Sequence, residues 1–251
     1  MIFAVMVIGP AGCGKTTFCS NMRDYYSDAK RRVCLVNLDC AADASELKYD
    51  YDIRTEVTTR DIMKICNLGP NEALLRAFEY LRDETHWVEE VFEASICDGE
   101  IVLLDCPGQI ELYMNSSAFQ DVVKSLQNWD YRLVTVYTMD ASFALDANKL
   151  VSGTLCALTA MLNLATANVT MITKVDLLDA AQREALQRVI EEQNYDTLQT
   201  RADAANERNL ALLRELNALL DDWSYVTFLC MDINDDRSLI ALKVLRAATL
   251  T

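Results

Sequence analysis

A glycine-rich loop near the amino terminus constrains the fold of this chain more than any other feature. An apolar run at 2–8 leads directly into GPAGCGKTT at 9–17, which satisfies the pattern G-x-x-x-x-G-K-[ST]. That pattern binds phosphate when a buried strand precedes it and a helix follows it, and helical periodicity does follow at 15–27. The sequence therefore predicts a strand, a phosphate-binding loop and a helix in immediate succession.

The residue types in this loop define its chemistry. Glycines let successive backbone N–H groups curl around a phosphate, and the following helix adds the positive end of its dipole. The Lys15 ammonium reaches the β- and γ-phosphates of a nucleotide, and the Thr16 hydroxyl is a ligand for Mg²⁺. The predicted nucleotide-binding residues of the loop are Gly12, Cys13, Gly14, Lys15, Thr16 and Thr17.

A second motif supplies partners for the metal and for the attacking water. A strand predicted at 100–104 delivers Asp105 to the metal, where its carboxylate can hold a Mg²⁺-bound water. The N–H of Gly108 is then placed to sense the γ-phosphate, and Gln109 to orient a water for attack on it. The alternative is that Gln109 and Glu111 are ordinary solvated loop residues.

A third motif indicates which base is bound. Thr173-Lys174-Val175-Asp176 follows a strand predicted at 168–173. The Asp176 carboxylate can accept hydrogen bonds from guanine N1–H and the 2-amino group, while the Lys174 stem covers the base. Adenine lacks these donors in that arrangement, so ATP leaves the carboxylate unpaired. The usual guanine motif begins with asparagine instead of Thr173. Guanine is the predicted base, and an ATPase of the same class is the alternative.

Strand-like runs alternate with helical patterns along the chain. Strands are predicted at 2–8, 33–37, 100–104, 132–139, 168–173 and 225–230. Helices are predicted near 15–27, 72–93, 116–128, 142–163, 179–222 (with an interruption) and 236–248. This alternation predicts an α/β fold of the P-loop NTPase type, with a doubly wound, mostly parallel sheet and helices on both faces. We expect a single domain over 1–251, with helical insertions near 45–95 and 179–222 and its ligand at the carboxyl ends of the strands.

Composition argues against several other classes of function. The net charge of −15 argues against a nucleic-acid groove, which needs a basic stripe to displace counterions. Nine cysteines are present, but there is no Cys-x-x-Cys pair and the single histidine is His86, so a zinc site lacks its usual ligand spacing. We expect reduced cysteines that act as small core residues in a cytosolic protein.

The uncharged stretch between Lys149 and Lys174 is long enough to span a bilayer. Its polar residues and its strand-like end, VTMIT, instead predict a buried helix followed by a buried strand, with no membrane contact. Small residues that permit close packing recur along this helix at Gly153, Ala157 and Ala160. They belong either to the core or to a dimer interface.

Together the motifs resemble the GPN-loop GTPase family, and among its eukaryotic branches the third most closely. The matching segments are GPAGCGKTT at 9–17, NLDCAAD at 37–43, DIR at 52–54, LGPN at 68–71, DCPGQIELY at 105–113, LVSGTLCALTAML at 150–162 and MITKVDLL at 171–178. The resemblance implies a P-loop GTPase that uses Mg²⁺ and converts GTP to GDP and phosphate. One departure is Cys40, which stands where the family has a proline after Asp39.

The resemblance also implies roles for individual residues. It implies a constitutive dimer in which each subunit lends its Gly69-Pro70-Asn71 loop to the nucleotide site of the other. Asn71 would then touch the γ-phosphate, or the released phosphate, of the partner. Asp39 and Gln109, with Glu111 nearby, would hold the lytic water. Because Asn71 is neutral, it would position groups and would not neutralise charge.

By the same resemblance, the partner is a second copy or a GPN-loop paralogue, and eukaryotic members assist the assembly and nuclear import of RNA polymerase II. The implied clients are RNA polymerase II subunits, and the implied location is the cytoplasm with shuttling to the nucleus. One alternative is an assembly factor that binds nucleotide with negligible hydrolysis. Another is a small-molecule phosphotransferase, whose lid would need converging arginines. The arginines within 179–222 instead lie among acidic residues at helical spacing.

Overall fold

The centre of the protein, described by a computed structural model, is a seven-stranded sheet in which neighbouring strands run parallel. The structure describes residues 2–42, 47–84, 86–191, 198, 204–223, 227–230 and 237–249. The strands are β1 (Ile2–Ile8), β2 (Val33–Asn37), β3 (Tyr51–Asp52), β4 (Ile101–Asp105), β5 (Tyr131–Asp140), β6 (Ala167–Thr173) and β7 (Thr227–Cys230). Their order across the sheet is β3-β2-β4-β1-β5-β6-β7.

The central strands owe their continuous apolar sequences to burial on both faces. β1 lies between β4 and β5, and its residues from Ala4 to Ile8 are buried, as is all of β4. Consecutive apolar positions are what a parallel strand needs when helices cover both of its faces. The register places Val7 opposite Asp105, so the carboxyl ends of β1 and β4 lie side by side. The strand order reverses at β1, which is where a doubly wound sheet forms its ligand crevice.

Helices cover both faces of the sheet. The α-helices are α1 (Lys15–Asp28), α2 (Thr59–Cys66), α3 (Pro70–Glu84), α4 (Trp87–Glu89), α5 (Ile110–Asn115), α6 (Ser117–Asn128), α7 (Ala141–Ala144), α8 (Ala147–Leu164), α9 (Ala180–Glu191), α10 (Ala204–Trp223) and α11 (Arg237–Thr249). Apolar side chains of α1 and α11 pack on one face, and those of α3, α5, α6, α8 and α9 belong to the cluster on the other. The predicted fold class is confirmed.

The continuous helix predicted at 72–93 is wrong. α3 ends at Glu84, α4 is a separate short helix, and a π-helical turn spans Glu90–Ser95. Within that turn the Phe92 ring is buried. The backbone carbonyl of Phe92 accepts a hydrogen bond of 2.6 Å from the Tyr131 hydroxyl of β5. The two rings also meet edge to face, with centroids 6.0 Å apart. Packing against the sheet therefore overrides the regular helical period.

Three short elements, β3, α2 and α5, were not predicted individually, although α2 lies within the helical insertion expected near 45–95. α2 carried a sequence signal, because Thr58 and Asp61 form a capping arrangement at its start. The Thr58 hydroxyl donates to the Asp61 carboxylate at 2.6 Å and accepts from the Asp61 N–H at 3.2 Å. Parts of the predicted segments lie outside the described residues, namely 45–46, 85, 192–197, 199–203, 225–226 and 236.

The uncharged stretch after Lys149 is a helix followed by a strand, α8 and β6, as predicted. Ala157 and Ala160 are fully buried within this one chain, which supports their assignment to the core. The same helix leaves Leu162 exposed over 68% of its surface. Across the described ranges, none of the helices combines the length and the hydropathy needed to cross a bilayer.

Candidate functional site

The glycine-rich loop turns sharply between β1 and α1. Gly12 and Gly14 have φ angles of 75° and 78°, in the left-handed region that favours glycine. Gly14 is also the residue that precedes α1, and no side chain caps the helix there. The first turn of α1 contains no acidic residue. Its backbone N–H groups therefore remain available to an anion, and the helix dipole adds positive potential.

Lys15 lies folded against this loop. Its ammonium donates to the carbonyl of Gly9 at 3.1 Å and to that of Pro10 at 2.9 Å, and its side chain is largely buried. Burial lowers the pKa of Lys15, and the carboxylates of Asp105 and Asp39 act against that shift. The two neutral carbonyls hold the Lys15 ammonium at the mouth of the loop. Phosphate oxygens, which are charged, would be stronger hydrogen-bond acceptors for it.

Asp105 ends β4 beside the loop. Asp105 is only 3% exposed, and its Oδ2 accepts a hydrogen bond of 2.8 Å from the Tyr49 hydroxyl. Burial raises the pKa of Asp105, while hydrogen bonds from Thr16 and Tyr49 act to lower it. Burial likewise raises the pKa of Tyr49, so its hydroxyl remains a donor. The oxygens of Thr16 and Asp105 thus come together, as predicted from their separate motifs.

This pair of oxygens fits Mg²⁺, which prefers hard oxygen ligands and keeps several waters or phosphate oxygens. No group of three or more His, Cys, Asp or Glu side chains in the described ranges could hold a metal by itself. A magnesium ion at this place would take its remaining ligands from water and from the nucleotide phosphates. Such a mixed ligand set is usual for phosphate-transfer sites.

A cavity of about 410 Å³ opens at the carboxyl edge of the sheet. Its lining residues are Ala11, Gly12, Gly14, Lys15, Thr16, Thr17, Asn37, Asp39, Ala42, Tyr49, Asp105, Cys106, Gly108 and Lys174. The cavity brings together most of the predicted phosphate and metal residues from four separate motifs. It also includes two polar residues to which the sequence assigned no role, Asn37 and Tyr49.

Asp39 is held in a turn after β2. Its N–H donates to the Asn37 side chain at 2.9 Å, and its carboxylate accepts from the N–H of Ala41 at 2.9 Å. Burial raises the pKa of Asp39, although Lys15 and the backbone donors act in the opposite direction. Asn37 Nδ2 donates to Asp52 at 2.9 Å, so the NLD and DIR segments meet at this turn.

Cys40 occupies the position at which the resembling family has proline. The residue is buried, and its carbonyl accepts a hydrogen bond of 3.0 Å from the N–H of Thr59, at the start of α2. Burial raises the pKa of its thiol, so it remains protonated. The turn is therefore anchored by a hydrogen bond from the first residue of α2.

Gly108 packs directly on the phosphate-binding loop. A Cβ atom at this position would lie 2.7 Å from the Cα of Ala11, closer than side chains approach a backbone. Only glycine permits this approach, which places the Gly108 backbone at the edge of the cavity. The preceding Pro107 is fixed by its carbonyl, which accepts a hydrogen bond from the buried Tyr113 hydroxyl. The predicted proximity of Gly108 to the phosphate site is observed.

The predicted water-positioning residues lie at a more exposed part of the surface. Gln109 Nε2 donates to Asn71 Oδ1 of the same chain at 3.4 Å. Gln109 Oε1 is buried and makes no hydrogen bond in this structure. Glu111 is exposed in the first turn of α5. Asn71 itself lies in the first turn of α3, which begins at Pro70, and the carbonyl of Gly69 accepts from the N–H of Ala73 at 2.8 Å.

The predicted base site follows β6. The Thr173 hydroxyl is buried, 2.9 Å from the carbonyl oxygen of Cys13 and 3.2 Å from that of Met139. Thr173 therefore connects the end of β6 to the phosphate-binding loop, which gives this departure from asparagine a structural role. Asp176 Oδ1 is buried without a hydrogen-bond partner in the structure. A buried, unpaired carboxylate oxygen is costly, and a ligand carrying N–H donors would satisfy it.

Lys174 begins the turn that contains Asp176. It has a φ angle of 61°, uncommon for a residue with a side chain. Its ammonium lies 2.8 Å from Asp140 Oδ2. Burial raises the pKa of Asp140, but the hydrogen bonds from Lys174 and Ser142, together with the charge of Lys174, outweigh it and leave that pKa lowered. The ion pair fixes the lysine beside the cavity, and the carbonyl of Asp176 accepts a bond of 2.9 Å from Arg183.

A parallel, doubly wound sheet with this loop, this aspartate and this cavity defines a P-loop nucleotide hydrolase. A family model described as "Conserved hypothetical ATP binding protein" matches residues 7–249. The curated protein "GPN-loop GTPase 3" of Debaryomyces hansenii is 35% identical over 94% of this chain and 86% of its own length. The protein of the same name from Saccharomyces cerevisiae is 35% identical over 94% of this chain and 87% of its own. The chain belongs to the GPN-loop GTPase family.

The fold has a solved counterpart. A GTPase from Pyrococcus abyssi, determined in its apo form, superposes with a TM-score of 0.78 over 99% of this chain and 96% of its own. The two sequences are 21% identical, so the similarity concerns the fold alone. It supports the strand order and helix placement described above.

Proposed function

We propose that this protein is a Mg²⁺-dependent hydrolase that converts GTP to GDP and phosphate and acts as a dimeric nucleotide switch. The observation that carries the proposal is the convergence of Lys15, Thr16 and Asp105 on one cavity. A cation and a metal-binding hydroxyl at the start of an uncapped helix, with a carboxylate beside them, are the groups that phosphate transfer requires. The names of the relatives, which are GTPases, add support for the nucleotide.

The residues divide the binding of GTP between them. The N–H groups of the first turn of α1 and the Lys15 ammonium bind the phosphates, and Asp176 accepts hydrogen bonds from the guanine base. Thr16 and Asp105 would hold Mg²⁺, which when bound neutralises charge on the β- and γ-phosphates. Thr173 fixes the loop relative to the base site through its contact with Cys13.

Hydrolysis needs a water in line with the γ-phosphate. Gln109 and Asp39 are the groups proposed to orient it, with Glu111 nearby, and the Gly108 N–H stabilises the γ-phosphate as charge develops. Asn71 is proposed to complete this part of the site from the partner subunit. Asn71 and Gln109 lie together at the surface of one chain. On a two-fold interface at that surface, each Asn71 would reach the Gln109 region of the other subunit.

The proposed context comes from the resemblance of the motifs. The partner is a second copy or a GPN-loop paralogue, and the clients are RNA polymerase II subunits during assembly or nuclear import, without direct nucleic-acid or membrane contact. The protein would then act in the cytoplasm and shuttle to the nucleus. The net charge of −15 supports clients with basic surfaces over contact with nucleic acid.

Steady-state hydrolysis of GTP and ATP, measured side by side with and without Mg²⁺, tests the proposal. We expect GTP-selective, Mg²⁺-dependent turnover. Turnover of both nucleotides at similar rates would favour an ATPase of the same class, in keeping with the wording of the family model. Tight GTP binding without turnover, at any protein concentration and with any paralogue added, would favour an assembly factor that uses the nucleotide structurally.

A further inference from the structure

The hydroxyl of Tyr49 lies on the metal side of the cavity. It donates to Asp105 Oδ2 at 2.8 Å. The Thr16 hydroxyl lies within hydrogen-bonding reach of both the phenol oxygen and the Asp105 carboxylate, and its single proton serves one of them at a time. One phenol therefore touches both residues whose oxygens fit Mg²⁺. None of the sequence motifs assigned a role to this tyrosine.

The backbone on either side of Tyr49 is fixed. Arg23 of α1 donates to the carbonyl of Lys48 at 3.0 Å. Asp50 is bonded twice to Leu35 of β2, through its N–H at 2.9 Å and through its carboxylate at 2.7 Å. The tyrosine ring also packs against the apolar cluster on the face of the sheet that α1 covers. These contacts hold the hydroxyl in place.

A carboxylate has about four lone-pair sites, so the bond from Tyr49 leaves Asp105 able to accept from a metal-bound water. Partners of this kind fix the orientation of a group that serves a metal. We propose that Tyr49 is a positioning residue of the magnesium site, which holds the Asp105 carboxylate in the orientation that Mg²⁺ binding requires. This inference rests on the proposed Mg²⁺-dependent function.

The opposite role would be that of a blocking group, in which the hydroxyl competes with the metal for Thr16 and Asp105. A blocking group must withdraw when the metal arrives. The hydrogen bonds at Lys48 and Asp50 oppose such a withdrawal, because they tie the backbone to α1 and β2. The two roles predict opposite effects of removing the hydroxyl, so one titration separates them.

The test compares wild-type protein with Tyr49→Phe, which keeps the ring and removes the hydroxyl. Tyr51→Phe is the matched control, since Tyr51 lies in β3 and is not among the residues that line the cavity. Protein loaded with fluorescent GDP is titrated with Mg²⁺, and GDP affinity is measured separately in EDTA. We expect the Mg²⁺ affinity of Tyr49→Phe to fall about tenfold. Its GDP affinity in EDTA should match that of wild type and of Tyr51→Phe.

Other outcomes overturn the inference in distinguishable ways. Unchanged Mg²⁺ affinity in Tyr49→Phe would show that the hydroxyl has no part in metal binding. Tighter Mg²⁺ binding would identify a blocking group. An equal loss of GDP affinity in EDTA, or a lowered unfolding midpoint, would show a structural role only. If Mg²⁺ has no effect on the GDP affinity of the wild-type protein, both this inference and the Mg²⁺ dependence proposed above are wrong.

Discussion

The phosphate side and the water side of the site differ in how completely one chain builds them. On the phosphate side, Lys15 and Asp105 are buried and make hydrogen bonds of 2.8–3.1 Å. On the water side, Asn71 is exposed, and its contact with Gln109 is 3.4 Å, weak for a hydrogen bond. Buried, preorganised groups suit tight anion binding, whereas two side chains joined by one long hydrogen bond rearrange easily. In one chain the groups proposed to bind the nucleotide are therefore already fixed, whereas the groups proposed to orient the water are not.

Removing Lys15 is the most direct way to break the phosphate side. We expect Lys15→Ala to weaken GTP binding about 1,000-fold, because a charge pair near a protein surface is worth about 4 kcal/mol. Calorimetric titration with GDP and a non-hydrolysable GTP analogue measures this effect. Lys64→Ala, an exposed lysine of α2, should bind as wild type does. A loss of less than tenfold in Lys15→Ala would place the phosphates elsewhere.

Substitutions on the water side should separate turnover from binding. We expect Gln109→Ala and Asn71→Ala each to lower kcat about 100-fold, the usual effect of removing one group that acts in the transition state. GTP affinity should stay unchanged, because neither side chain lines the cavity proposed to bind the phosphates. Glu72→Ala, next to Asn71 in the first turn of α3, serves as the control. Equal losses of kcat and GTP affinity would show that these residues also bind the nucleotide, which contradicts the distinction between a phosphate side and a water side.

The proposed base site also serves nucleotide binding, and Asp176→Asn tests whether Asp176 recognises the guanine base. We expect the preference for GTP over ATP to fall about 30-fold, which corresponds to about 2 kcal/mol for one buried carboxylate and its donors. Competition binding with GTP and ATP measures the ratio. Asp179→Asn is a suitable control, since asparagine keeps the cap that Asp179 provides for α9. An unchanged ratio in Asp176→Asn would remove Asp176 from the base site.

The smallest expected effect concerns the link between base and phosphate sites. Thr173→Val removes the hydroxyl that bonds the loop carbonyl of Cys13. We expect stability to fall by about 1 kcal/mol and GTP affinity to fall about fivefold. Thr170→Val, on the same strand, removes a buried hydroxyl that has no partner and should be neutral or stabilising. Denaturant unfolding compares the two, and similar losses would show that Thr173 makes no special bond.

The strands and the loop around the phosphate side were predicted well because their sequence patterns are local. The loop at 9–17 and the strand ending in Asp105 carry their own patterns, and the strand predicted at 33–37 has the observed bounds. The strand predicted at 132–139 is one residue longer at each end. Burial on both faces produces long apolar runs, which a sequence displays directly.

The remaining features depend on contacts between distant segments. Tyr49 meets Asp105 across 56 positions, and Asn71 meets Gln109 across 38, so no local pattern contains either pair. The break in the helix predicted at 72–93 depends on a ring from β5, which is equally remote in sequence. The role of Thr173 as a link to the loop required the packed structure, because its partner carbonyls come from two other segments.

Mixing two inactive variants tests the central claim most directly, namely that one chain binds the nucleotide and a partner completes the water side. Lys15→Ala cannot bind GTP but carries an intact Asn71, and Asn71→Ala binds GTP but lacks the asparagine. If Asn71 acts on the partner, random mixing should restore about a quarter of wild-type GTP turnover, because half of the dimers contain one complete site. A mixture that hydrolyses GTP no faster than its two components would contradict the claim and assign Asn71 to its own chain.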